Sequence, residues 1–154
     1  MSAMKSNEKY PHLEKHQVLV EERNGSLTQD VYTPSHQLIA DEPLDLGGNN
    51  EGPTPFEYLL GALGSCAAMT VRMYCNHKKW PLEGTTVRIK HSKIDAKDCE
   101  DCESDTGKVD LFEREISFKG PLDQEQIDRL LQIADRCPVH KVFMGQKKVT
   151  TKLV

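Results

Sequence analysis

The stretch from Thr54 to Cys75, TPFEYLLGALGSCAAMTVRMYC, limits the fold more than any other part of the chain. Thr54 suits a helix cap and Pro55 the first helical position. Glu57, three residues after Thr54, can reach back to the cap N–H. Leu59, Leu60, Ala62, Leu63, Ala67, Ala68, Met69 and Val71 then put apolar side chains on nearly every side. A helix of that kind is buried in a core or in a membrane. The uncharged run from Tyr58 to Val71 is too short to cross a bilayer, and Arg72 ends it. The stretch therefore predicts a buried, central helix in a soluble protein. Gly61 and Gly64 lie one turn apart inside it. Each costs about 1 kcal/mol in a helix interior, so the pair predicts close approach of another backbone. Cys66 lies on that part of the helix.

Around this helix the chain reads as short strands. HQVLVEER (His16 to Arg23) and SLTQDVYT (Ser26 to Thr33) flank Asn24-Gly25, a strong hairpin signal. Pro34-Ser35 turns the chain into HQLIA, His36 to Ala40. Asp41 to Pro53 is loop. Beyond the helix, TTVRIKHSKID (Thr85 to Asp95) and KVDLFEREISFK (Lys108 to Lys119) alternate as strands. A change of parity around Phe112 to Glu115 predicts a bulge or a bend. Asp123 caps a second helix carrying Ile127, Leu130, Leu131 and Ala134 at helical spacing, and Pro138 stops it near Cys137. Val149 to Val154 reads as a last strand. The expected order is βββ-α-ββ-α-β, an α+β domain over residues 15–154 behind a flexible segment, 1–14.

Composition narrows the function. A net charge of −4 over 154 residues, with no basic block, argues against a nucleic-acid partner. No segment is long enough for a membrane span, and the N-terminus lacks the apolar run of a signal peptide, so the cytoplasm is the expected compartment. Five cysteines, at 66, 75, 99, 102 and 137, then read as thiols, metal ligands or redox centres rather than a disulfide framework.

Cys66 by itself is read two ways. It is a small buried hydrophobe, or it is a reactive thiol that needs a cation from elsewhere in the chain. Cys137 is either a small residue at a helix end or a partner that condenses with an oxidised Cys66. Cys99 and Cys102 form a CxxC in the acidic loop KDCEDCESDTG. It is half a zinc site, to be completed by His91, Cys75, His77 or the same pair of another subunit, or it binds no metal. Its carboxylates argue against a thioredoxin-like thiol. His140, three after Cys137, is a ligand, a base or a helix-end residue.

The segments GPTPFEYLLGALGSCAAMTVR and ADRCPVHK, at this separation and in this element order, resemble the OsmC/Ohr family of osmotically inducible and organic-hydroperoxide-resistance proteins. The Cys-Pro-Val-His form with the CxxC loop is similar to a less characterised OsmC-like branch. The resemblance implies an intertwined homodimer, with an antiparallel sheet on a long buried central helix and active sites at the subunit interface. It implies a thiol-dependent peroxidase that reduces small organic hydroperoxides in oxidative-stress defence. It needs no cofactor, and a dithiol of the lipoyl type or a small thiol regenerates it. Cys66 is then the peroxidatic cysteine and Cys137 the resolving one. Arg23, beside the Asn24-Gly25 turn, matches the family's thiolate-stabilising arginine. The family's glutamate directly after the helix-starting proline is Phe56 here, with Glu57 one residue on, turned by about 100°. Glu57 is therefore either catalytic or only the cap residue. The other readings are a binding or regulatory protein on the same scaffold, metal-stabilised through Cys99 and Cys102, and a small-molecule carrier that uses the apolar interface.

Overall fold

The computed structural model describes residues 13–104 and 106–154. Most of the expected N-terminal segment lies outside them. The chain forms two compact units, Met1–Leu59 and Leu60–Val154, and one long helix runs across the boundary.

The first unit is an antiparallel sheet of β1 (Leu19–Glu22), β2 (Gln29–Tyr32) and β3 (Gln37–Ala40), in that spatial order. Asn24 and Gly25 both take positive φ, 51° and 68°. The Ser26 N–H closes the turn on the Arg23 carbonyl at 3.0 Å. This is the type I′ geometry that matches strand twist, and it explains why Asn-Gly is legible as a hairpin. The loop after β3 is organised by the buried carboxylate of Asp41. It accepts hydrogen bonds from the N–H groups of Glu42, Asn49 and Glu51 and from the Thr28 hydroxyl. Burial would raise this carboxyl, but those four donors together hold it below its ordinary value.

The long helix, α1, spans Pro55–Lys78. At its start, the Thr54 hydroxyl accepts from the Glu57 N–H at 3.1 Å and the Glu57 carboxylate accepts from the Thr54 N–H at 2.8 Å, a reciprocal capping box. At its end, Lys79 takes φ 56°, and the Trp80 N–H returns to the Cys75 carbonyl at 3.0 Å, a Schellman closure. Pro81 follows and forbids continuation.

The second unit packs α1 with β4 (Gly84–Asp95), β5 (Lys108–Lys119) and α2 (Gln124–Ala134). Leu63, Ala67, Val71 and Cys75, four residues apart, form the buried stripe of α1. Three of them join Leu82, Leu130, Ile133 and Ala134 in the core, flanked by Trp80, Ile116 and Phe118. Asp123 caps α2 with Gln126 in a second capping box. Among the described residues, no helix is long and apolar enough to cross a membrane.

Two expectations are corrected. Val149 to Val154 forms no strand; instead Pro138 opens a further helix, α3 (Pro138–Met144). Proline stops a helix from within but is preorganised for the first position of the next. The β4–β5 ladder is unbroken from Gly84↔Lys119 to Asp95↔Lys108, so there is no bulge. The inward parity changes in both strands at the same rungs, His91↔Phe112 and Ser92↔Leu111, as a strongly twisted two-stranded ribbon allows. Within one chain the glycines of α1 meet no neighbouring backbone. Gly64 faces the side chains of Ile89 and Val87, and Gly61 faces open space. Within one chain, α1 is covered on one face only. Leu59, Met69 and Met73 remain 39%, 64% and 69% exposed.

Candidate thiol site

Cys66 and Cys137 come from opposite ends of the second unit, and their side chains lie near enough for Cys66 to act on the Cys137 thiol. Their positions have local causes. Cys66 lies on α1, half-buried, at the border between the buried stripe and the exposed apolar face. Cys137 is fully buried and is the N-cap of α3. Its backbone is extended (φ −62°, ψ 141°), Pro138 occupies the first helical position, and its sulfur accepts from the His140 N–H at 3.2 Å. The sulfur thus takes the place that a Ser or Asp oxygen usually fills at a cap.

Burial is the largest influence on the Cys137 thiol and pushes it up. The His140 N–H opposes this by stabilising negative charge on sulfur, whereas Cys66 adds to the rise. Arg114 opposes it by its charge. Cys75 is raised by burial and sits in the core, where it packs as a small apolar residue.

Arg114 escapes the sequence reading. It lies on β5 opposite Ile89, at inward parity with Ile116 and Phe118. That parity is the available signal, since a cation on the apolar side of a strand requires a partner. One guanidinium nitrogen, Nη2, donates to Asp135 at the end of α2. The other, Nη1, is buried and has no hydrogen-bond partner among the described residues. A cavity of about 340 Å³ opens here, lined by apolar residues such as Leu63, Phe112 and Phe143, by Arg114 and His140, and by the carboxylates of Asp110 and Asp135. Phe112 and Phe143 meet edge to face at 5.0 Å and shape its wall. A wider surface cavity of about 730 Å³, lined by Tyr74, Lys78, Trp80 and Arg129 among others, holds no thiol. Size alone therefore does not select the site.

The other predicted residues are placed as follows. Arg23, at the hairpin turn of the first unit, pairs with Asp30 at 2.5 Å and with Glu51 at 2.7 Å. The hydrogen bond to Asp30 chiefly raises its already high pKa. Glu51 is not singled out by the sequence; its N–H is held by Asp41, which fixes the loop that presents it. Glu57 closes the α1 cap. Cys99 and Cys102 are joined as a disulfide at the far end of the β4–β5 ribbon. In that state neither sulfur is a thiolate, the form that zinc requires. Among the described residues, no group of three or more His, Cys, Asp and Glu side chains is placed to hold a metal.

Comparison with known proteins places this geometry in context. Residues 48–152 match the family described as OsmC-like protein. A search of curated proteins finds no significant match. Among solved structures, the chain is similar to an OsmC-like protein from Mycoplasma pneumoniae, with 16% identity, TM-score 0.66, and coverage of 86% of this chain and 89% of that one. It is also similar to a putative osmotic stress induced and detoxification response protein from Psychrobacter arcticus (19%, 0.64, 85% and 90%). A third is an organic hydroperoxide resistance protein OsmC from Legionella pneumophila (17%, 0.59, 86% and 92%). At these identities the likeness establishes the fold.

Proposed function

The chain belongs to the OsmC-like protein family, and on that basis we propose that it is a thiol-dependent peroxidase for organic hydroperoxides, acting in defence against oxidative stress. The observation that carries this reading is the proximity of the Cys66 and Cys137 thiols. The name of the Legionella relative, an organic hydroperoxide resistance protein, supports the substrate class.

In this reading the Cys66 thiolate attacks the outer peroxide oxygen. The O–O bond breaks, and the alkoxide leaves as alcohol with a proton. Cys137 then attacks the sulfur of the Cys66 sulfenic acid, the S–O bond breaks, and water leaves as the Cys66–Cys137 disulfide forms. A dithiol or small thiol reduces that disulfide by exchange. The proximity of the two thiols favours closure over further oxidation of Cys66.

The enzyme works as a homodimer. Leu59, Ala62, Met69 and Met73 form an exposed apolar stripe on α1, and Cys66 lies along it. A second copy covering this stripe would remove apolar surface from water and close a dry cleft beside the sulfur.

The test is consumption of cumene hydroperoxide under dithiothreitol. Cys66→Ser abolishes it. Cys137→Ser leaves a sulfenic acid that dimedone traps. An unchanged rate in Cys66→Ser refutes the proposal. A second reading, a binding scaffold without turnover, draws on the two carboxylates that engage Arg23 and on the commitment of Glu57 to the helix cap. It predicts that wild-type protein consumes no hydroperoxide.

A further inference from the structure

We propose that Arg114 is the positioning residue for the second half of the cycle: it presents positive charge to Cys137 and makes this buried thiol able to close the disulfide with Cys66. The inference rests on the peroxidase reading and assigns the resolving step its own cation.

Three features on β5, α2 and α3 converge on it. First, Arg114 is mostly buried, with its side chain only 13% exposed. Its Nη1 has no hydrogen-bond partner among the described residues. A buried donor left unsatisfied is costly and rare, so an orphan of this kind calls for an explanation. Second, the guanidinium is anchored. Nη2 is held by Asp135, which lies two residues before Cys137, so the arginine and the cysteine are tied to the same short segment between α2 and α3. Third, Arg114 and His140 line the same cavity, and the His140 N–H is the donor on the Cys137 sulfur.

The chemistry explains why a cation is needed here. Closure consumes a thiolate: Cys137 loses its proton, its sulfur attacks the Cys66 sulfur, and the departing hydroxide takes up a proton to leave as water. Overall, one sulfenic acid and one thiol give one disulfide and one water, with no outside reductant. A thiol in an apolar interior resists ionisation. The groups that act on it are Cys66 from α1, Arg114 from β5 and the His140 N–H from α3. Asp135, at the end of α2, partly neutralises Arg114. Of these, Arg114 is the full positive charge.

The test separates closure from peroxide chemistry. In a Cys99→Ser/Cys102→Ser background, Ellman's reagent charges Cys66 as a mixed disulfide. Attack by Cys137 then releases a second thionitrobenzoate, followed across pH 7–9. The expectation is that Arg114→Met slows this release severalfold at each pH, because it removes a positive charge that favours the thiolate. Arg114→Lys restores at least part of the rate. Asp135→Asn, which frees the guanidinium from its carboxylate, shifts the profile toward lower pH. If Arg114→Met fails to fold, the Asp135→Asn variant decides. An Asp135→Asn profile that superimposes on wild type, or an unaltered profile in a folded Arg114→Met, overturns the assignment. Because no peroxide is used, the release rate reports on Arg114 even in a protein inactive toward hydroperoxides.

Discussion

The two glycines of α1 allow a sharp test of how this helix is packed. Gly61 and Gly64 have ordinary helical backbone, yet an added methyl group meets different surroundings at each. At Gly61 nothing lies within 4 Å of the position a Cβ would take. Gly61→Ala therefore recovers the helix penalty of glycine, about 1 kcal/mol. For a chain of this size that corresponds to a rise in Tm of about 2–4 °C. At Gly64 the new Cβ sits 3.3 Å from Ile89 Cδ1 and 3.7 Å from Val87 Cγ1. The isoleucine tip must give by a few tenths of an ångström, which takes back part of the same gain. Gly64→Ala is thus expected to stabilise less than Gly61→Ala. Differential scanning calorimetry of both variants at several protein concentrations measures this, since a dimer makes Tm concentration-dependent. A fall in Tm for Gly61→Ala refutes the reasoning. It would mean that another surface, such as α1 of a second copy, packs directly on Gly61.

Two further predictions concern the first unit and the ribbon. Asp41 has a folded-state pKa below its ordinary value, so its contribution to stability is complete above the ordinary carboxylate range, about 3.9. It is lost as pH falls through the lower folded value. Asp41→Asn should flatten the acid limb of a stability-versus-pH curve measured by urea unfolding, and an acid limb identical to wild type would count against the network. Zinc at Cys99 and Cys102 requires the reduced pair, because a disulfide offers no thiolate. Zinc content measured before and after treatment with a phosphine reductant checks this, and zinc retained with the bridge intact contradicts it.

The local elements are legible because local rules decide them. Asn24-Gly25 adopts positive φ where it connects two strands. Thr54, Pro55 and Glu57 carry a helix start in three residues. Asp123 and Gln126 do the same for α2. Misreading comes where a residue has two uses. Pro138 ends one helix and begins another, and its sequence context favours only the first use. The parity change in β5 has a bulge and a twist as equally good causes, and only the pairing with β4 distinguishes them.

Within the site, the type and spacing of residues mark Cys66 and Cys137 as candidates, but no spacing rule brings residues 71 positions apart together. Packing of α1, β5 and the α2–α3 junction does that, and the same packing leaves one Arg114 nitrogen unsatisfied. The helix starts, the hairpin turn, the amphipathic second helix and the family motifs are written in the order of residues, since each depends on neighbours a few positions away. Which sulfurs lie near each other, which carboxylate holds the buried Arg114 and which carboxylates hold Arg23 are settled by folding alone. Those outcomes depend on what is buried against what, and burial is a property of the assembled chain.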